Sequence, residues 1–79
     1  MMDKAIVMES FGKRMEKARM NKGWSIRELS RRIGVESSTL SGYELELHEP
    51  RMFNLICIAD GLEVSIDWLT GRSEVEWLA

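Results

Sequence analysis

A single cysteine, Cys57, leaves this chain without any internal disulfide, and a single histidine, His48, has no partner at metal-ligand spacing. Neither a metal nor a cofactor is expected. The longest apolar run, Leu55 to Ala59, is far too short to cross a bilayer. The opening MMDKAIVMES lacks the apolar core of a signal peptide, so a cytoplasmic location is the expectation. Strand-like alternation is absent throughout and no segment repeats. No nucleophile and base pair, metal cluster or phosphate-binding loop occurs, so an enzyme is not expected.

What is present is helical punctuation. Ser25 followed three residues later by Glu28 has the spacing of a capping box, with Trp24 and Leu29 placed as its hydrophobic staple. Ile26, Leu29 and Ile33 then recur along one face, and Gly34 offers the left-handed conformation that stops a helix. In the segment that follows, Leu40, Tyr43 and Leu47 share a face, which turns Ser38, Ser41, Gly42 and Leu45 outward. Two short helices joined by a tight glycine turn read as a helix-turn-helix.

The 79 residues allow one domain with a modest core. Residues 1–9 show no clear period and are read as a flexible arm. A first helix is expected from about Ser10 to Asn21, with Phe11, Met15 and Ala18 inward and Lys13, Arg14, Lys17 and Lys22 in water. A fourth helix is expected from about Met52 to Asp60, ended by Gly61. A fifth is capped by Ser65, stapled by Val64 and Leu69, and closed by Gly71. Residues 10–71 thus form the domain and 72–79 a tail. The net charge of −2 conceals a polarity. Residues 9–34 hold eight basic against three acidic side chains, and residues 35–79 hold two against nine. A basic side is an electrostatic footprint for phosphate, although on a helix it is also the ordinary composition of a solvated face.

The runs FGKRMEKAR, GWSIRELSRRIGV and STLSGYE, the lone Pro50 and then LICIADGLEVSIDWLTG follow one another in an order that resembles the phage repressor and Cro (XRE-like) helix-turn-helix proteins. The resemblance covers Phe11 to Gly71. It implies an all-α fold, a compact lambda-repressor-like bundle of five helices, and a transcriptional regulator that binds a double-stranded DNA operator as a homodimer. Small residues at Ser30 and Gly34 would let the second and third helices cross closely, and Arg19 and Glu44 fall on the pair that ties helix one to helix three. In such proteins the third helix enters the major groove and the start of the second lies on the backbone. Carried over, Ser37, Ser38, Thr39, Ser41 and Gly42 occupy or border the reading surface, Ser25, Ile26 and Arg27 approach phosphate, and Glu36 caps the third helix close to the duplex.

Departures accompany the match. Ile26 stands where the family has a glutamine, Gly42 removes a side chain at a frequent base-contact position, and Glu46 replaces a glycine after the third helix. A serine-rich face implies weak or shape-dependent selectivity, because paired bonds to one base come from Arg, Lys, Asn or Gln. Phosphate contacts then fall to Lys13, Arg14, Lys17, Lys22, Arg27, Arg31 or Arg51. The acidic half and the serine-glycine face also suit an alternative, the same fold gripping a protein partner in the manner of an antirepressor or antitoxin. In the last segment Ile66, Trp68, Leu69, Trp77 and Leu78 form an apolar set that either makes a dimer contact or folds back over its own core.

Overall fold

The computed structural model describes residues 3–77, and the expectations for residues 1, 2, 78 and 79, Leu78 among them, lie outside that range. Five helices follow in order: α1 Lys4–Asn21, α2 Ile26–Ile33, α3 Ser37–Glu44, α4 Met52–Leu62 and α5 Ile66–Leu69. Helix α1 packs against α3, α4 and α5, α2 lies between α3 and α4, and α4 also meets α5. The core gathers Phe11, Met15, Ala18, Leu29, Leu40, Tyr43, Ile58, Leu62, Val64, Trp68 and Leu69, all at most 4% exposed.

Helix α1 begins well before Ser10, so residues 4–9 are not an aperiodic arm. Asp3 supplies the cap, its carboxylate accepting the Ala5 amide at 2.9 Å, and Met8 continues the inward period of Phe11, Met15 and Ala18. The helix-turn-helix starts on the Ser25 cap, whose Oγ accepts the Glu28 amide at 3.0 Å. The Glu28 carboxylate departs from the capping-box expectation and pairs with Arg31 and Arg32 one turn on. Gly34 adopts φ +74°, as a residue closing α2 onto a sharp turn must. The Ser30 hydroxyl donates to the Val35 carbonyl at 2.6 Å and braces that turn.

Two further boundaries differ from the periodic reading. Gly61 does not end α4. It lies inside the helix, where a Cβ would sit 2.3 Å from Ile33 Cγ2, so its smallness serves the approach of α2, and Glu63 at φ +60° takes the terminal left-handed position. Leu47 does not join Leu40 and Tyr43 in the core. The chain leaves α3 at Leu45, Glu46 turns left-handed at φ +63°, and Leu47 is 67% exposed.

The last segment folds back. Ser65 caps α5 by accepting the Trp68 amide, its own amide donates to the Glu76 carbonyl at 2.8 Å, and Val64 meets Trp77 in an isolated antiparallel bridge. Arg14 binds the same segment from α1, donating to the carbonyls of Trp68 and Ser73 and to the Glu74 carboxylate. Trp68 and Leu69 are therefore core residues and not a surface for dimer contact, because the returning chain and α1 enclose α5. Ile66 and Trp77 keep substantial exposure.

Candidate nucleic-acid interface

The two helices of the motif hold their mutual position through α1. Arg19 Nε donates to Glu44 Oε2 at 2.8 Å and Nη2 to Oε1 at 3.0 Å, while Nη1 donates to the Trp24 carbonyl at 2.7 Å. One guanidinium thus fixes the end of α3 and the entry to α2. The two side chains are 13% and 7% exposed. Hydrogen bonding to Glu44 raises the Arg19 pKa above the ordinary arginine value, outweighing the opposing effect of burial, with the Glu44 and Glu16 charges adding to the rise. Trp24 sits between Arg32 and Lys22, at 4.3 and 5.2 Å from its ring centroid.

The outward side of α3 carries the hydroxyls. Ser38 is exposed, and Ser37, Thr39 and Ser41 are half-buried. Elsewhere among the described residues the hydroxyls of Ser10, Ser25, Ser30, Ser65, Thr70 and Ser73 are each engaged by protein groups. Those of Ser37, Ser38, Thr39 and Ser41 have no protein partner among the described residues. Four such groups on one short helix form a polar face that the fold itself does not use. Glu36 is exposed and caps α3 through its backbone only, with no bond from its carboxylate to the first amides.

Gly42 is buried and not part of an open reading surface. Its position on α3 does face outward, four residues after Ser38. What covers it is the loop beyond the helix: a Cβ at Gly42 would meet His48 Cδ2 at 2.6 Å, with Nε2 and Cγ the next nearest atoms. His48 was missed by the sequence reading, and a glycine on the outer face followed by a nearby imidazole was the available signal. Asn54 was missed as well. Its Nδ2 donates to the Tyr43 hydroxyl at 2.9 Å and ties the start of α4 to α3.

At the start of α2, Ser25 is exposed with its oxygen already occupied, Ile26 is half-buried against the core, and Arg27 is exposed. Most basic candidates have carboxylate partners: Lys13 with Glu9, Arg14 with Glu74, Lys22 with Glu63, and Arg31 with Glu28. Lys17 lies 5.8 Å from the Trp68 ring centroid. Arg27 and Arg51 have no carboxylate partner among the described residues. Arg51 lines one open depression with Thr39, Tyr43, His48, Glu49, Phe53 and Asn54, which places a cation and a carboxylate around the Thr39 hydroxyl.

A fold of this kind, with α3 held forward by a buried ion pair, defines a helix-turn-helix protein. The helix-turn-helix family model matches residues 15–69, and the chain belongs to that family. It is 32% identical over 66 residues to the HTH-type transcriptional regulator ImmR of Bacillus subtilis, covering 84% of this chain and 52% of that protein. It is 31% identical over 61 residues to the HTH-type transcriptional regulator AnsR of the same organism, covering 77% and 53%. The chain therefore spans about half the length of these curated relatives. Among solved structures, a hypothetical transcription factor, NHTF, from Neisseria superposes with a TM-score of 0.79 at 28% identity, covering 86% of this chain and 76% of that one. A helix-turn-helix transcriptional regulator from Vibrio cholerae gives 0.75 at 22% identity, over 85% of this chain and 38% of that one, a likeness of fold.

Proposed function

We propose that this chain is a double-stranded DNA-binding transcriptional regulator, with α3 in the major groove and the start of α2 on the backbone. The observation that carries the reading is the face of α3, where Ser37, Ser38, Thr39 and Ser41 keep hydroxyls that no protein group engages among the described residues. Hydroxyls donate to and accept from base edges, while Arg27 and Arg51 supply charge for phosphate. The names of its relatives, HTH-type transcriptional regulators, support the same assignment. The chain acts in the cytoplasm as a homodimer on a palindromic operator, with Ile66 and Trp77 the exposed members of the apolar set available for contact. No described helix is long and apolar enough to cross a membrane.

A second reading rests on Leu45, Leu47, Met52 and Phe53, all at least 67% exposed and flanking the loop after α3. Such a surface suits a protein partner and supports the interaction-module alternative. Fluorescence anisotropy of a labelled random-sequence duplex, titrated with pure protein at several salt concentrations, separates the two. The DNA reading expects binding that weakens linearly in log salt, and absence of binding even at low salt would transfer the assignment to the protein-partner reading.

A further inference from the structure

We propose that His48, a loop residue outside the helix-turn-helix, is a specificity-determining residue that reads a base pair from the place where α3 has no side chain. The proposal rests on the DNA-binding reading above. Gly42 follows Ser38 by four residues and Thr39 by three, so the three share the outward side of α3. The glycine is nonetheless buried, and the three atoms nearest to its absent Cβ all belong to His48: Cδ2 at 2.6 Å, Nε2 at 3.4 Å and Cγ at 3.7 Å. The ring thus fills the slot that a side chain at this position would occupy. His48 itself remains exposed and borders the same depression as Thr39 and Arg51.

This arrangement gives the glycine a purpose. Any larger residue would displace the ring, because 2.6 Å is far inside van der Waals contact. An imidazole carries a ring N–H that donates to an acceptor. The major-groove edge of guanine presents two acceptors, O6 and N7, and is the base edge best matched to that donor. The α3 hydroxyls lie alongside and discriminate weakly, so the imidazole adds a directional contact that the serine face lacks.

The test begins with the duplex selected by the wild-type protein from a random pool. Competition binding with each base pair of that site substituted in turn then compares wild type, His48→Ala, His48→Gln and Gly42→Ala. Wild type is expected to prefer guanine at one position of each half-site. His48→Ala should lower that preference by about fivefold, within the range typical of one base-pair mismatch, and leave the other positions intact. Gly42→Ala should flatten the same base pair by moving the ring, and His48→Gln should retain part of the preference. The salt slope should stay unchanged, since a base-edge contact displaces no phosphate counterion. Gly42→Ala improves helix propensity, so its melting temperature shows whether the domain is intact when the preference is lost. A His48→Ala protein with the wild-type preference at every position overturns the proposal while leaving the DNA reading standing. So does flattening at different base pairs by the two alanine variants. A wild-type protein that binds no duplex overturns both.

Discussion

Replacing Glu44 with alanine removes the acceptor of two of the three bonds made by the Arg19 guanidinium and leaves it only the Trp24 carbonyl. Breaking a buried pair from one side costs about 3–5 kcal/mol, because the remaining charge keeps its desolvation without its compensation. Arg19 is 13% exposed and also feels Glu16, so water and a second carboxylate recover part of that loss. A cost at or just below the lower bound, about 2–3 kcal/mol, is expected. In a domain of this size each kcal/mol lowers the melting temperature by about 4–8 °C, giving a fall of about 10–20 °C by circular dichroism at neutral pH. The Arg19 pKa is raised in the folded state, so the arginine contributes fully below its ordinary pKa and loses that contribution only as pH rises through the folded value. The loss therefore should not vary on the arginine's account between about pH 6 and pH 9. As a control, Arg31→Ala breaks an exposed contact and should cost less than about 1 kcal/mol. A Glu44→Ala protein melting within about 2 °C of wild type would show that the pair orients α3 without stabilising it.

Further outcomes are expected. Glu36→Lys adds positive charge at the start of α3 and should tighten binding to all duplexes while steepening the salt dependence; Ser38→Ala should instead change preference among sequences at constant slope. Glu46→Gly relieves a left-handed residue at φ +63° and should raise stability by about 0.5–1 kcal/mol, read from urea unfolding. Lys22 donates to Glu63 and adds its charge, holding that carboxyl below the ordinary glutamate range, so the pair's contribution is present above that range and is lost as pH falls through the folded value. A carboxyl carbon titration of Glu63 by nuclear magnetic resonance should move upward in Lys22→Met, and an unmoved midpoint would remove the claim.

Much of the helical frame was legible because its signals are local. Ser25, Gly34 and Ser65 mark their boundaries through bonds to residues a few positions away, and Phe11, Met15 and Leu29 declare themselves by spacing. What failed depended on distant chain. Gly61 reads as a stop until Ile33 is seen beside it, and Trp68 reads as either a dimer contact or a core residue until Arg14 draws residues 73 and 74 across α5. The early start of α1 does have a local signal, since Asp3 is a good cap and Met8 extends the period. At the site, periodicity oriented Gly42 outward but could not show that His48 returns over it. The pairing of Arg19 with Glu44 came from the family resemblance, because 25 residues of separation carry no local period.

Contact between the outward face of α3 and DNA, as proposed, is tested most directly by a map of backbone amide shifts on adding a selected duplex. The largest changes are expected at residues 37–42, with further changes at residues 25–27 and 51, and little change along the buried side of α4. Changes confined to α5 and residues 72–77, or an unaltered spectrum at low salt, would contradict it.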